Sequence, residues 1–269
     1  MSEQKFEFSK ENIDVYLKEL AKEYRKTVGK AMPAELILIG GAAILINYGF
    51  RDMTTDIDAL IHAASGMKDA ISRVGDRFEL PNGWLNADFM NTDSYSPKLA
   101  EFSVYYKTWS NVLTVRTIAA EYLIAMKLRS GRQYKSDLSD VIGILFEHEK
   151  RGMPIRMEQI RKAVNDLYGD WGALPEASRA FIENVMHNGQ LAQLYEETAV
   201  GEKETRELLL QFEQDYPGVT KQDNVDAIVG TLQKKTNRAS VLSRLRELQQ
   251  VKDDTPPSVN EPSKDDRER

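Results

Sequence analysis

Apolar and polar positions along the first third of the chain predict strands and helices in a definite order. The apolar run 36–39 has the length and branching of a buried strand, and it stops at Gly40-Gly41. The apolar segment 42–48 then predicts a short helix, which a glycine closes. A polar loop, 51–55, leads into a second strand over 56–61. The pattern is therefore strand, glycine corner, helix, loop and strand.

The rest of the chain adds mostly helices. Residues 84–90 fit either a strand or a loop, and Gly201 marks a break in a long helical stretch. Apolar spacing predicts helices over 10–24 (with Ser9 as N-cap), 66–78, 117–130, 136–150, 157–168, 176–186, 189–216 and 224–248, and strands over 102–106 and 112–115, joined by a turn at Ser110-Asn111. We predict an α/β (α+β) fold, a small mixed sheet flanked by helices and followed by an α-helical C-terminal region.

Composition indicates where the domains of the chain begin and end, and it excludes several classes of function. A boundary near 152–154 separates a domain over 1–150 from a helical domain over 151–250, and the proline-rich, charged residues 251–269 predict a disordered tail. The net charge of −6 argues against broad nonspecific binding of nucleic acid. The absence of cysteine excludes disulfide and thiol chemistry. The polar N-terminus and the lack of a long apolar run predict a cytoplasmic protein without a membrane span.

Two aspartates on the second strand are the first candidate chemistry. Side chains alternate faces along a strand, so Asp56 and Asp58 are expected to point the same way. Two neighbouring carboxylates repel each other unless a cation lies between them. Because carboxylate oxygens are hard ligands, the pair predicts a Mg²⁺ site.

The glycine corner is the second candidate. Backbone N–H groups of Gly40 and Gly41 would face a phosphate at the start of a helix, where the helix dipole also favours an anion. Arg51, Thr54 and Thr55 lie in the loop between this corner and the aspartates, and could contact the same oxygens. Each motif alone is more often structural. Their joint order favours phosphoryl or nucleotidyl transfer.

A later helix pair adds charged residues with two interpretations each. Lys127 interrupts an apolar helix, where it either pairs with an anion or extends to water at the rim. Asp137 and Asp140 share a helix face, and acids there can simply complement the helix dipole. Arg132 either reaches phosphate or stays solvated.

These segments resemble a known superfamily. IGGAAILINYGFRDMTTDIDALI, residues 39–61, is similar to the signature of polymerase-beta-type nucleotidyltransferases. YLIAMKLRSGRQYKSDLSDVIGIL, residues 122–145, resembles the branch that includes abortive-infection and toxin–antitoxin nucleotidyltransferases. PNGWLNADF, residues 81–89, resembles a Trp-Leu-Asn segment of small members of that branch. The resemblance covers roughly residues 30–150 and implies a sheet of the nucleotidyltransferase type.

The resemblance also implies roles for single residues. The residues that would bind NTP are Gly40, Gly41, Arg51, Thr54, Thr55, Lys127, Arg132, Asp137 and Asp140, and those that would hold Mg²⁺ are Asp56, Asp58 and Asp88. These three acids and Lys127 are the candidate catalytic residues. Related sequences carry the third acid where this chain has Ala87, so Asp88 is the first choice for that role and Glu101 the second.

The expected activity is transfer of a nucleotide from an NTP to an acceptor. By analogy, the acceptor is an RNA such as tRNA or a protein, and the setting is a toxin–antitoxin or phage-defence system with an antitoxin partner protein. The alternative is a catalytically degenerate module that binds a nucleotide or another protein.

Overall fold

The computed structural model describes residues 6–221 and 224–234. The chain divides into two compact units, Met1–Glu204 and Thr205–Arg269, which are described separately. The predicted tail 251–269 and the later part of the predicted helix 224–248 lie outside the described residues. The predicted domain bounds at residues 150 and 250 stay predictions.

The first unit is built on a five-stranded mixed sheet. Its strands are β1 (Ala34–Leu38), β2 (Ile57–His62), β3 (Leu85–Asn86), β4 (Ser103–Trp109) and β5 (Leu113–Ile118), in the order β3-β2-β1-β5-β4. The central strand β1 runs antiparallel to β2 and parallel to β5. The outer pairs are parallel for β2 and β3 and antiparallel for β4 and β5.

Eight named helices accompany the sheet in the described part of the chain. They are α1 (Lys10–Val28), α2 (Gly40–Asn47), α3 (Gly66–Phe78), α4 (Ala120–Ser130), α5 (Asp137–Lys150), α6 (Met157–Tyr168), α7 (Glu176–Asn188) and α8 (Leu191–Asp215). In the second unit, residues 225–234 are helical. This architecture confirms the predicted mixed sheet with flanking helices and a helical C-terminal region. Among the described residues, none of the helices has both the length and the apolar character needed to cross a membrane.

Local chemistry accounts for several element ends. The predicted N-cap Ser9 is confirmed, because its hydroxyl accepts from the Asn12 backbone N–H while the Asn12 side chain accepts from the Ser9 N–H. The predicted turn between β4 and β5 is also confirmed. Ser110 and Asn111 both adopt left-handed φ angles, 54° and 52°, which asparagine tolerates better than most residues.

α4 is the central helix of the first unit, as its apolar sequence predicts. Leu123, Ile124 and Leu128 are fully buried, and α5, α6 and α7 all pack against α4. A helix that is apolar on nearly every side must be covered on every side. This burial fixes the end of α4, where Lys127 lies, beside the start of α5.

Several boundaries differ from the sequence interpretation. The helix predicted over 117–130 begins only at Ala120, because the first two residues of that range belong to β5. β2 begins at Ile57, so Asp56 ends the preceding loop rather than starting the strand. Gly201 lies inside α8, which continues through it without the predicted break. A single glycine costs a helix only about 1 kcal/mol, which the rest of a long helix offsets.

Candidate active site

The glycine corner joins β1 to α2. Gly40 has φ +58°, a left-handed angle that suits glycine, and it opens α2 directly after Ile39. The N-cap residue Ile39 has a hydrocarbon side chain, so it cannot accept from the first N–H groups of the helix. A Cβ atom on Gly40 would lie 3.7 Å from Oδ2 of Asp58. The corner therefore faces the second strand at one of the predicted acids.

Gly41 lets the following loop approach the corner closely. A Cβ atom here would lie 2.6 Å from the hydroxyl oxygen of Thr54 and 3.1 Å from Nη2 of Arg51. Thr54 is buried, and its hydroxyl donates to the backbone oxygen of Asp56 at 3.2 Å. Thr55 is exposed. The loop thus folds back onto the glycine turn, which no larger residue would permit without movement.

Neighbouring strands bring the acids together. Asp58 pairs with Asn86 across β2 and β3. The Asn86 side-chain oxygen accepts from the backbone N–H of Asp88 at 2.8 Å, which holds Asp88 just beyond the end of β3. Asp56 and Asp88 are exposed, whereas Asp58 is half-buried. Asp56 lies directly before β2 and Asp88 just beyond β3, and both carboxylates act on the carboxyl of Asp58.

The charges around Asp58 are unbalanced. Burial, and next the charge of Asp56, raise the pKa of Asp58 to about 6, and Asp88 adds to the rise. Lys127 and Arg132 act on the same carboxyl in the opposite direction. Glu101, the second choice for the third acid, is exposed and is not among the charges that shift this pKa. Asp88 is thus the acid that shares an electrostatic environment with Asp58.

Five side chains beside the acids form an alternating ion-pair chain, Arg51–Asp140–Lys127–Asp137–Arg132. The Lys127 ammonium lies 2.8 Å from Asp137 Oδ1 and 2.8 Å from Asp140 Oδ2. Arg51 Nη1 contacts Asp140 Oδ2 at 2.6 Å. Arg132 Nε contacts Asp137 Oδ2 at 2.8 Å. These ion pairs connect the loop after α2 with α4, with α5 and with the turn between α4 and α5.

Mutual pairing keeps Lys127 and Asp137 ionised inside the protein. Burial opposes the charge of Lys127, but Asp137 and Asp140 raise its pKa above the ordinary value. Although Asp137 is buried, Lys127 and Arg132 hold the pKa of its carboxyl well below the usual range. The Lys127 side chain is 11% exposed, so it does not extend to water at the rim. Asp137 and Asp140, which the sequence places where they can complement the helix dipole, also pair with three cations.

Glu202 of α8 belongs to the same region and has no local sequence signal. It is buried and accepts from the backbone N–H groups of Leu138, at 2.8 Å, and Ser139, at 3.3 Å. The Ser139 hydroxyl also donates to it at 2.5 Å. Burial raises the pKa of Glu202 to about 7, although these hydrogen bonds favour the carboxylate. A contact between residues more than sixty positions apart is invisible to periodicity.

The acids suit magnesium only in combination with a substrate. Within the described residues, no group of three acidic, histidine or cysteine side chains is arranged to hold a metal by itself. Mg²⁺ commonly binds through one or two carboxylates, with phosphate oxygens and water completing its shell. The hard oxygens of Asp56 and Asp58 meet that requirement, and a cation between them would relieve the repulsion that raises the Asp58 pKa.

Comparison with known proteins decides the family. Residues 15–149 match a family described as nucleotidyltransferases of unknown function (DUF6036). The chain belongs to this family. No curated protein and no solved structure matched the chain.

Membership of this nucleotidyltransferase family places the described geometry in a general class. The matched segment runs from within α1 almost to the end of α5. It contains the glycine corner, the three acids and the whole ion-pair chain. The class implies an NTP substrate. Glu202 lies outside the matched segment, so the family pattern does not include the residue that α8 brings to α5.

Proposed function

We propose that this chain is a magnesium-dependent nucleotidyltransferase that transfers a nucleotide from an NTP to an RNA, such as tRNA, or to a protein. The observation that carries the proposal is the position of Asp58. It lies beside the left-handed corner at Gly40, with the charges of Asp56, Asp88, Lys127 and Arg132 acting on it. One small region therefore offers backbone donors, cations and carboxylates to the same ligand.

The triphosphate would bind to the corner and the cations. Backbone N–H groups at the start of α2 are oriented for an anion. An ammonium carries three N–H donors; Lys127 donates one of them to Asp137, and its nitrogen lies 2.8 Å from Oδ2 of Asp140. Arg51 uses Nε and Nη1 on Met53 O and Asp140, while its Nη2 lies against Gly41. The aspartates would thus orient the cations without consuming every donor.

The proposed reaction is an in-line displacement at the α-phosphate. The acceptor hydroxyl oxygen forms a bond to the α-phosphorus, the bond from that phosphorus to the bridging oxygen breaks, and pyrophosphate leaves. Asp88, exposed beyond β3, would take the hydroxyl proton. Asp56 and Asp58, with Asp88, would hold Mg²⁺, which supplies neutralisation of the phosphate charge.

The proposed biological setting is a toxin–antitoxin or phage-defence pair. Its support is the resemblance of residues 122–145 to nucleotidyltransferases of that branch, and it implies an antitoxin partner protein. Expression of the wild-type chain should then slow bacterial growth, whereas expression of an Asp56→Ala/Asp58→Ala variant should not. Equal growth with both proteins would refute this setting without touching the proposed chemistry.

Two observations favour a second function, a catalytically degenerate module that binds nucleotide or protein. Among the residues that the structure describes, the carboxylates do not form a ready three-ligand metal group. The chain also has Ala87 where related sequences carry an acid. Such a protein would bind NTP through the corner and the cations but transfer nothing.

A labelling experiment separates these functions. The protein is incubated with Mg²⁺, a cell extract and each α-³²P-labelled NTP in turn, beside an Asp56→Ala/Asp58→Ala variant. Asp52→Asn serves as a matched control, since Asp52 is an exposed acid of the same loop. Ribonuclease-sensitive label supports an RNA acceptor, and protease-sensitive label supports a protein acceptor. Binding of NTP without any label identifies the degenerate module. If the protein shows neither label nor NTP binding, both the transferase and the nucleotide-binding module are refuted.

A further inference from the structure

We propose that Glu202 of α8 is a positioning residue for the NTP site, a role that rests on the proposed function. It would act through the first turn of α5, which carries two members of the ion-pair chain.

The first turn of α5 lacks a cap from its own sequence. Ser136 precedes the helix, but its side chain makes no cap hydrogen bond to α5. The first N–H groups of any helix have no partner within the helix, and they normally take one from the N-cap side chain. Glu202 supplies the acceptor instead, at the N–H groups of Leu138 and Ser139. A distant helix thus performs the function of a local cap.

The capped turn is also the turn that orients the cations. Asp137 and Asp140 flank the two residues that Glu202 contacts. These aspartates hold Lys127, Arg51 and Arg132 at distances between 2.6 and 2.8 Å. A shift or fraying of the first turn would move both aspartates, and with them the three cations. Glu202 is 4% exposed, so its carboxylate is directed into the protein and not toward solvent.

α8 supports the other end of the ion-pair chain as well. The Tyr195 hydroxyl donates to the backbone oxygen of Phe50 at 3.1 Å, next to Arg51 in sequence. The rings of Tyr195 and Phe50 meet edge to face, with centroids 5.6 Å apart. The same helix therefore contacts the residue before Arg51 and the turn that carries Asp137 and Asp140. This is the arrangement expected of an element that sets the spacing of an anion site.

The test measures NTP affinity apart from turnover. Equilibrium dialysis with α-³²P-labelled ATP, GTP, CTP and UTP in Mg²⁺ gives Kd, and the labelling reaction gives KM and kcat. Glu202→Ala should raise Kd and KM about tenfold, the usual effect of removing an outer support of a charged site. The value of kcat should change little, since Asp56, Asp58 and Asp88 are untouched. Glu204→Ala, an exposed acid two positions further along α8, should leave Kd unchanged.

Two conservative variants separate positioning from charge and from simple stability. Glu202→Gln retains an oxygen acceptor for the N–H groups and should recover most of the affinity. Glu202→Asp retains the charge but is one methylene shorter, so it should behave like Glu202→Ala. A purely structural role would lower the melting temperature but leave Kd of the folded protein unchanged. If Glu202→Ala does not fold, Glu202→Asp provides the same comparison.

The outcomes distinguish this inference from the proposed function. If the wild-type protein neither binds nor transfers any NTP, the proposed function fails and the positioning role fails with it. If the wild-type protein binds NTP and folded Glu202→Ala and Glu202→Asp bind it equally well, the positioning role alone is overturned. A parallel loss of affinity in these two variants, reversed in Glu202→Gln, supports it.

Discussion

Replacement of Asp58 by asparagine should stabilise the metal-free protein at neutral pH. The folded environment raises the pKa of this carboxyl from 3.8 to about 6, first through burial and then through Asp56. A raised carboxyl pKa means that the folded protein binds more protons than the unfolded chain between those values. The free energy of unfolding must therefore fall as pH rises from about 4 to about 6. Asparagine has no proton to lose, so the variant avoids this penalty.

The size of the effect follows from the same two values. The interval between 3.8 and about 6 corresponds to about 3 kcal/mol at full linkage. Asp58 is half-buried rather than sealed from water, and solvent screening lowers the expected gain to about 2 kcal/mol. Other groups with displaced pKa values, such as Glu202, contribute equally to the free energy of unfolding of the wild type and of Asp58→Asn. Their contributions therefore cancel when the two proteins are compared.

Urea denaturation in EDTA, followed by tryptophan fluorescence at pH 4.5 and pH 7.5, measures this difference. Asp58→Asn should gain stability over the wild type at pH 7.5 but much less at pH 4.5. Asp52→Asn, an exposed acid in the preceding loop, should show no such pH dependence. Mg²⁺ added together with an NTP should stabilise the wild type more than Asp58→Asn. Parallel pH profiles for the wild type and Asp58→Asn would refute the electrostatic reasoning.

Three further substitutions test the packing around the site. Lys127→Ala should destabilise the protein by about 3 kcal/mol in urea titrations, because it leaves two buried aspartates without their shared cation. Changing both aspartates to asparagine in the same chain should recover part of that loss. Gly41→Ala should cost about 1–3 kcal/mol and weaken NTP binding, since the new methyl would lie 2.6 Å from a threonine hydroxyl. Gly49→Ala, with open space around it, is the control and should match the wild type in both measurements. Gly143→Ala should lower the melting temperature, because its methyl would lie 2.6 Å from the Phe50 ring, whereas Gly201→Ala, also inside a helix but in open space, should raise it.

Local patterns predicted the helices well for a physical reason. Periodic apolar positions and turn residues act within a few residues of one another, so α3 and α6 begin and end where the sequence indicates. The short strand β3 was ambiguous because only Leu85 and Asn86 pair with β2 before the chain turns away. Two paired residues are too few to establish an alternating pattern.

The candidate site likewise has a local part, which the sequence predicts, and a part built from distant residues, which it does not. The glycine corner, Asp56 and Asp58 lie within one short segment, so their order alone indicated a phosphate site. Other contacts of the site join distant parts of the sequence. Arg51 pairs with Asp140, which is 89 positions away, and Glu202 contacts Leu138 of α5, which is 64 positions away. Ordinary polar residues carry these contacts, and a single sequence contains no signal for them. The catalytic and binding roles of the individual residues stay predictions.

The start of the described chain also shapes the loop that ends at Asp56. Phe8 and Thr54 exchange two backbone hydrogen bonds, at 2.8 and 2.9 Å, immediately before Asp56. We call this pair of hydrogen bonds the Phe8–Thr54 clasp; the Phe8 ring is fully buried, so the core holds the clasp in place. The family match begins at residue 15, beyond the clasp. A fragment trimmed to the family bounds would therefore keep every acid and every cation of the site but lose the contacts of Phe8 with the loop. If such a fragment failed to act on NTP, the result would say nothing about the chemistry of the intact protein.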